Sequence, residues 1–326
     1  MKTTMRSPVL KPSKVLALGI FAACAPVAAI AETTTIFAPG VSLTGGWYDV
    51  NKKSTENQST SDFIYCWAAS ASNLIDYWND SYSAAGNSLP NSIPDRKTSA
   101  LGYTSGTFDL FLDRNNWNPQ VLMGDYYDNK GADPRVALKW YFNGEKHNAS
   151  NYAVPLPGTG GYWKNEYSQI QEKLGRDFIQ DELGAYSTWG QWASDKSKTC
   201  KQIFSECVSA ILKKGAAGMG ANTSLRGGHA ITLWGADFDA LGIVSAVYIT
   251  DSDDAEKTSG APSLRRYAVD YDLDARDVYL SNTDYGNRNL IISLYGLTAY
   301  PIPEPSMFGL LSGTLALALL ALRRRR

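Results

Sequence analysis

Three residues of the sequence have the types that nucleophilic catalysis by a thiol requires. Cys66, His229 and Asp251 follow one another along the chain, 163 and 22 residues apart. In such chemistry a thiolate attacks, an imidazole takes and returns the proton, and a carboxylate fixes the imidazole tautomer. The chain has only two histidines, and His147 lies in a polar stretch that is typical of a solvated loop. His229 is therefore the candidate base.

The segment that begins at Cys66 is predicted to be a buried helix over residues 66–80. Its apolar residues recur at helical spacing, and Ser59, Ser61 or Asp62 is expected to cap its start. A thiol at a helix N-terminus loses its proton more readily because the helix dipole stabilises the anion, and a nearby imidazolium adds to that effect. This placement favours an activated Cys66 over a small side chain that only packs.

The residues around His229 are predicted to form a β-hairpin that brings an acid to the imidazole. Two short strands flank a turn centred on Ala240. This turn places His229 directly opposite Asp251, with Cα atoms about 4.5–5.5 Å apart and both side chains on one face. Asp253 lies two residues further along on the same face and is the fallback acid.

The N-terminal residues 1–31 are typical of a secretory signal peptide. Four basic residues precede an apolar stretch, and Ala29 and Ala31 form a small-x-small cleavage pattern. Signal peptidase is then expected to release the body at Glu32. Lipidation at Cys24 is an alternative processing of the same segment.

The C-terminal residues 301–326 carry a second targeting pattern. Pro303, Glu304 and Pro305 precede a predicted transmembrane helix over residues 307–322, which four arginines follow. Sixteen helical residues span about 24 Å, which is short for a hydrocarbon core of about 30 Å but workable with snorkelling arginines. This tail resembles the PEP-CTERM sorting signal of Gram-negative bacteria. The resemblance implies transient anchoring in the inner membrane, processing by an exosortase, and delivery to the cell surface or exopolymer matrix; a plain membrane anchor is the alternative.

Cysteine usage fits an exported body. Removal of Cys24 with the signal peptide leaves Cys66, Cys200 and Cys207, an odd number in an oxidising compartment. On one continuous helix, Cys200 and Cys207 would lie about 10 Å apart, too far for a disulfide. A bridge between them therefore requires Cys200 to precede the helix that is predicted over residues 202–214. Cys66 is then the thiol left over.

The charge of the body excludes nucleic-acid binding. The chain has 31 basic and 32 acidic residues, but eight of the bases lie in the two terminal segments. Without these bases and Glu304, the body holds 23 bases and 31 acids, a net charge near −8. Nucleic-acid binding requires basic patches. No cofactor and no metal are expected, because His229 has no neighbouring histidine and no cysteine pair has zinc spacing.

A single domain over residues 32–300 with an α+β fold is predicted. A helix lies early in this region, and a β-rich region runs from residue 217 to residue 300. The nucleophile is expected at a helix N-terminus, with the histidine and the aspartate on an antiparallel sheet. The predicted fold is accordingly that of a papain-like cysteine peptidase.

Four motifs contain or flank these candidate residues. They read G-W-Y-D-V-N-K over residues 46–52, C-W-A-A-S-A-S-N-L-I-D-Y-W over residues 66–78, H-A-I-T-L-W-G-A-D-F-D over residues 229–239 and V-Y-I-T-D-S-D-D over residues 247–254. Together they resemble the Mac/IdeS-type cysteine endopeptidases, the streptococcal immunoglobulin-degrading proteases.

The resemblance implies a role for each matching residue. By this resemblance Cys66 is the nucleophile and His229 is the base. Asp251 is the acid that orients the imidazole, and Asp253 is a supporting acid. Lys52 matches the family's lysine near the oxyanion site, where its charge would stabilise the oxyanion beside the Cys66 backbone N–H. The segment between Lys52 and Cys66 is about four residues longer than in the family, so Lys53 is an alternative, and Gln58 is another.

The sequence thus predicts a surface- or matrix-sorted cysteine endopeptidase that hydrolyses a protein substrate through a thioester acyl-enzyme. Two other functions stay open. An acyltransferase or amidase would use the same triad with another acceptor or substrate, and a non-catalytic matrix-binding module would keep the fold without using Cys66. Immunoglobulin specificity is not carried over, because the sorting tail indicates an environmental, exopolymer-producing bacterium.

Overall fold

The computed structural model describes residues 33–52, 65–93, 106–112, 134–144, 160–180, 186–187, 191–192, 196–223, 227–253, 262–283 and 286–301. The helices are α1 (Cys66–Ala84), α2 (Gly106–Leu112), α3 (Pro134–Asn143), α4 (Tyr167–Leu174) and α5 (Cys200–Leu212). The strands are β1 (Thr34–Phe37), β2 (Ile179–Gln180), β3 (Tyr186–Ser187), β4 (Gln191–Trp192), β5 (Gly215–Thr223), β6 (Gly227–Phe238), β7 (Val244–Thr250), β8 (Arg265–Asp272), β9 (Asp277–Thr283) and β10 (Gly286–Thr298).

Six of these strands form a sheet that closes on itself. Neighbouring strands in this sheet follow the order β6, β5, β10, β9, β8 and β7. The last strand, β7, also pairs with the first, β6. All of these pairings are antiparallel. The short strands β1 and β2 pair with β6 and β10 in addition. The result is a closed six-stranded barrel, in which each of the six strands has a neighbour on both sides.

The predicted papain-like α+β fold is therefore wrong. Strands late in the chain were expected, and so was a hairpin between β6 and β7, but nothing in the strand spacing indicated that β10 pairs with both β5 and β9 and so closes the sheet. Closure depends on how far each strand is staggered along its neighbour, and the bulges that contribute to this stagger leave no plain pattern in a single sequence. β1 was also missed, because residues 32–45 show no clear alternation of apolar and polar side chains.

Helix α1 is buried on almost all sides. It contacts β5 and β6 of the barrel as well as α2 and α3. The ring of Trp78 meets the rings of Phe142 and Trp163 edge to face, at centroid distances of 4.9 and 4.7 Å. Such aromatic pairs contribute about 0.5–1.5 kcal/mol each beyond the area they bury. Helix α1, and with it the residue at its first position, is thus packed between the barrel on one side and α2 and α3 on the other.

Helix α5 settles the question of a disulfide. It begins at Cys200, where Thr199 and Gln202 form a capping box. Cys200 and Cys207 thus lie on one continuous helix, and both are free thiols. Seven residues of helix separate their Cα atoms by about 10 Å, which is too far for a bridge.

Several predictions concern residues outside the described part of the chain. These are the signal peptide over residues 1–31, the sorting tail with its helix over residues 307–322, and the side chains of Lys53, Gln58 and His147. Among the residues that the structure describes, no helix is long and apolar enough to span a membrane.

Candidate active site

His229 and Asp251 form a buried pair at one end of the ribbon made by β6 and β7. His229 lies near the start of β6, and Asp251 directly follows β7. Nε2 of the imidazole lies 2.7 Å from Oδ1 of Asp251, and both side chains are only 4% exposed. The backbone N–H of Asp253 donates to the same oxygen at 3.0 Å. The carboxylate is thereby held in place and favours the tautomer with hydrogen on Nε2.

The register that brings this pair together differs from the predicted one. The ladder pairs Thr232 with Thr250, whereas a turn centred on Ala240 would pair Thr232 with Tyr248. The pairing also shifts twice, and the two shifts cancel: β6 has Trp234 as an extra residue, and β7 has one near its start. Beyond the two shifts, at the end that carries the site, the difference is two residues, which keeps His229 and Asp251 on one face of the sheet. The predicted contact therefore forms in spite of the wrong register.

Cys66 is the first residue of α1 and is half-buried. Tyr65 precedes it, and no side chain among the described residues caps the helix start by a hydrogen bond. The predicted caps Ser59, Ser61 and Asp62 lie outside the described residues. The N–H groups of a first helical turn carry partial positive charge, which favours a thiolate or an oxyanion at this position.

The protonation of Cys66 and His229 is coupled. Burial raises the pKa of the Cys66 thiol, but a hydrogen bond with His229 and the charges of His229 and Lys52 outweigh burial and lower the pKa below its usual value. Burial lowers the pKa of His229, but the charge and hydrogen bond of Asp251, together with Cys66, raise the pKa well above its usual value. Both directions stabilise a thiolate beside an imidazolium.

Lys52 and Asp253 form a second buried pair beside the first. Nζ of Lys52 lies 2.6 Å from Oδ1 of Asp253, and their side chains are 1% and 2% exposed. The backbone N–H of Lys52 donates to the carbonyl of Ser252 at 2.8 Å. The second carboxylate oxygen of Asp253 lies 3.9 Å from Nδ1 of His229. The structure thus brings all five predicted site residues into one cluster, with the Lys52 ammonium on Asp253.

The barrel interior behind the His229–Asp251 pair is almost filled. A cavity of about 10 Å³ lies beside the pair among the described residues, and its lining includes Ile231, Tyr267 and Leu280. Side chains fill the interior of small barrels in general. This volume is about that of a single water molecule, so the space beside the imidazole of His229 is too small for a larger ligand.

His229, Asp251 and Asp253 offer potential metal ligands that lie within 4.8 Å of one another. The Lys52 ammonium already lies on Asp253, and one Asp251 oxygen already accepts two hydrogen bonds. A metal ion would have to displace these partners and would be repelled by the ammonium. This donor set fits acid–base chemistry better than it fits metal binding.

Sequence reasoning missed a row of polar side chains behind the site. Ser70 and Asn73 follow Cys66 by four and seven residues on α1 and are buried. The Ser70 hydroxyl donates to the carbonyl of Ile231 at 3.0 Å, and the Asn73 amide donates to the hydroxyl of Thr232 at 3.1 Å. The available signal was that Ser70 and Asn73 share the face of α1 that begins at Cys66.

A thiol, an imidazole and a carboxylate in this arrangement are the groups that cysteine peptidases use. Comparisons with known proteins agree with that class. Residues 197–285 match the family model Mac 1, a range that contains His229 and Asp251 but not Cys66 or Lys52. The chain is also 27% identical, over 247 residues, to an IgM protease of Streptococcus suis (strain P1/7). That alignment covers 70% of this chain and 19% of the relative, so the chain spans about a fifth of the relative's length. These similarities support the predicted resemblance to the Mac/IdeS family.

Proposed function

We propose that this chain is a cysteine endopeptidase of the Mac/IdeS type that hydrolyses a protein substrate. The observation that carries the proposal is the buried His229 imidazole, which is hydrogen-bonded to the Asp251 carboxylate and to the Cys66 thiol. The similarity to the Mac 1 family model and to the streptococcal protease supports it. The relative's name gives IgM as its substrate; for this chain we propose a protein substrate without that specificity.

In the proposed reaction the Cys66 thiolate attacks a peptide carbonyl carbon, and the carbonyl electron pair moves to oxygen. The Cys66 backbone N–H at the start of α1 is well placed to stabilise the oxyanion. His229 gives its proton to the leaving amine, and a thioester remains on Cys66. A water molecule, deprotonated by His229, then attacks the thioester; the C–S bond breaks, and the acid product leaves with the thiolate and imidazolium restored.

Lys52 and Asp253 act together in this proposal. The Lys52 ammonium favours the thiolate form of Cys66, and Asp253 holds that ammonium in a site from which water is largely excluded. Asp251 keeps the imidazole oriented, with Nδ1 left for the sulfur, because Nε2 is bound to the carboxylate.

We further propose that the body is exported. The pattern of residues 1–31 supports release by signal peptidase, and the pattern of residues 301–326 supports sorting by an exosortase to the surface or matrix of a Gram-negative bacterium. An exported peptidase would meet its protein substrate outside the cell.

The first test is alkylation by iodoacetamide as a function of pH, read at each cysteine by mass spectrometry. Cys66 should react rapidly below pH 7, and His229→Ala should move its reaction towards about pH 8.5, the value of an ordinary thiol. Cys200 and Cys207 are internal controls, because burial raises the pKa of both thiols, that of Cys207 to about 11. A Cys66 that reacts no faster than Cys207, with or without His229, contradicts the proposal.

The second test separates hydrolysis from acyl transfer. A panel of unfolded proteins is incubated with the wild type and with Cys66→Ala, with and without an added amine. New free carboxyl termini that require Cys66 are expected. Products that carry the added amine in place of a free carboxyl terminus would identify an acyltransferase instead.

A further inference from the structure

Asn73 connects the elements that carry the site residues. It lies on α1, two turns after Cys66, and is buried. Its Oδ1 accepts a hydrogen bond from the backbone N–H of Val50 at 3.0 Å. Its Nδ2 donates to the hydroxyl oxygens of Thr232 and Thr250, at 3.1 and 3.4 Å. One side-chain amide thus joins α1 to the segment before α1, to β6 and to β7.

Each partner of Asn73 lies close in sequence to a residue of the site. Val50 comes two residues before Lys52, Thr232 three residues after His229, and Thr250 directly before Asp251. Thr232 and Thr250 also face each other across the β6–β7 ladder. A displacement of α1 relative to the ribbon would therefore change the position of Cys66 relative to His229 and Asp251 together.

The hydrogen bonds around Asn73 form a consistent set. The Thr250 hydroxyl donates to the carbonyl of Tyr48 at 2.8 Å, and it accepts from Asn73 and from Nε1 of Trp234 at 2.9 Å. The Thr232 hydroxyl donates to Ser70 at 3.3 Å. Each hydroxyl donates once, and both amide hydrogens of Asn73 are used. Buried polar networks that satisfy every member specify one arrangement of the elements they join.

Ser70 continues this set one turn closer to Cys66. Its oxygen lies 2.8 Å from the hydroxyl of Tyr295 on β10. Gly218 faces Tyr295 on the neighbouring strand, and a Cβ at Gly218 would lie 1.8 Å from the Tyr295 ring. The absence of a side chain at Gly218 therefore gives the ring the space it needs beside β5.

We propose that Asn73 is a positioning residue, whose side-chain amide holds α1 and the β6–β7 ribbon in the arrangement that brings the Cys66 sulfur to the His229 imidazole. This inference rests on the proposed function and adds to it a residue that touches none of the reacting atoms. Loss of the amide would leave the Thr232 and Thr250 hydroxyls without this donor and the Val50 N–H without its acceptor. The position of α1 relative to the ribbon would then change. The Cys66 thiolate would lose part of the stabilisation that it receives from the His229 imidazolium.

The experiment compares Asn73→Leu with Asn79→Leu. Asn79 is also buried on α1, but its Nδ2 donates to the hydroxyl of Tyr141 on α3 at 3.2 Å, away from the ribbon. Thermal unfolding and the pH profile of Cys66 alkylation are measured for both variants and for the wild type. Both substitutions should lower Tm, because each removes a buried hydrogen-bonded amide.

Only Asn73→Leu should move the alkylation midpoint of Cys66 upwards. A shift of one pH unit lowers the thiolate fraction, and with it the alkylation rate below the midpoint, about tenfold. Thr250→Val, which removes one hydroxyl at nearly constant shape, should give a smaller shift in the same direction. It also serves as the test if Asn73→Leu does not fold.

The outcomes separate this inference from the function on which it rests. An activated Cys66 in the wild type and an unchanged midpoint in Asn73→Leu and Thr250→Val would overturn the positioning role alone. Equal shifts in Asn73→Leu and Asn79→Leu would do the same, because the effect would then follow loss of stability. An ordinary thiol profile in the wild type would overturn the proposed function and this inference together.

Discussion

The two ends of the β6–β7 ribbon each have an aspartate that lies against a basic side chain at the same distance. At one end, Nε2 of His229 lies 2.7 Å from Asp251; at the other, Nε of Arg266 lies 2.7 Å from Asp237. The surroundings differ. The His229 side chain is 4% exposed, whereas the Arg266 side chain is 52% exposed. Distance alone therefore does not distinguish a reactive pair from a structural one.

The partners of each aspartate make the distinction. Asp237 accepts hydrogen bonds from Thr35 on β1, from Tyr248 and from Arg266, so this cluster ties β1 to the barrel. Asp251 instead holds an imidazole that contacts a thiol. The Asp237 carboxylate thus has a structural role, whereas the Asp251 carboxylate orients the imidazole that can act as a base. The following predictions test this contrast, from the largest expected effect to the smallest.

The largest difference is expected in the rate of peptide cleavage. Asp251→Asn should lower kcat/KM about 10²–10⁴-fold, the range for loss of general acid–base function, because the imidazole loses its charged partner. Asp237→Asn should leave kcat/KM within about twofold of the wild type, since it lies at the far end of the ribbon. Equal losses in the two variants, measured on a protein that the wild type cleaves, would remove the contrast.

A large difference is also expected in the free energy of unfolding. Lys52→Met should lower it by about 3–5 kcal/mol, because Asp253 would be left as a buried charge without its cation. Arg266→Met removes a largely exposed cation and should cost at most about 1 kcal/mol.

Urea unfolding measures both values, and a double variant provides the control. Lys52→Met combined with Asp253→Leu removes both charges and should recover much of the lost stability. A Lys52→Met protein that is as stable as Arg266→Met would contradict a buried ion pair at this end of the ribbon.

The two ends should respond to pH in opposite directions. Burial lowers the pKa of His229, but Asp251, together with Cys66, raises it well above its usual value. The contribution of His229 to stability is therefore complete below the ordinary value of about 6.5 and is lost as pH rises through the raised value. Burial raises the pKa of Asp237, but Thr35 and Arg266 lower it below its usual value overall. Its contribution is complete above about pH 3.9 and is lost as pH falls through the lowered value.

Unfolding free energies at several pH values check both directions. The difference between the wild type and His229→Gln should shrink towards alkaline pH. The difference between the wild type and Asp237→Asn should shrink towards acid pH. Parallel profiles for the two pairs would show that the two ends are electrostatically alike.

The smallest effect is expected at β1. Thr35→Val removes the hydroxyl that donates to Asp237 at 2.6 Å and should cost about 0.5–1.5 kcal/mol. The alkylation profile of Cys66 should stay unchanged, because Thr35 lies at the structural end of the ribbon. A shift of that profile would show that the two ends are coupled through β6 and β7.

The sequence predicted more of the candidate site than of the fold. The type and order of Cys66, His229 and Asp251 indicated thiol chemistry, and α1 begins at Cys66 as the pattern of apolar residues predicted. The hairpin was also predicted, and its wrong register still brings His229 to Asp251, because the difference at that end of the hairpin is two residues and keeps both side chains on one face. Local periodicity carries this information, since it depends on residues a few positions apart.

Only the tertiary structure decided the closure of the barrel, the pairing of Lys52 with Asp253, and the place of Asn73 between α1 and the ribbon. Lys52 lies 201 residues before Asp253, and Asn73 lies 159 residues before Thr232. Contacts of this kind depend on strand stagger, bulges and side-chain packing across the whole domain. A single sequence has no periodic signal for them, because the partners are brought together by the fold and not by their spacing along the chain.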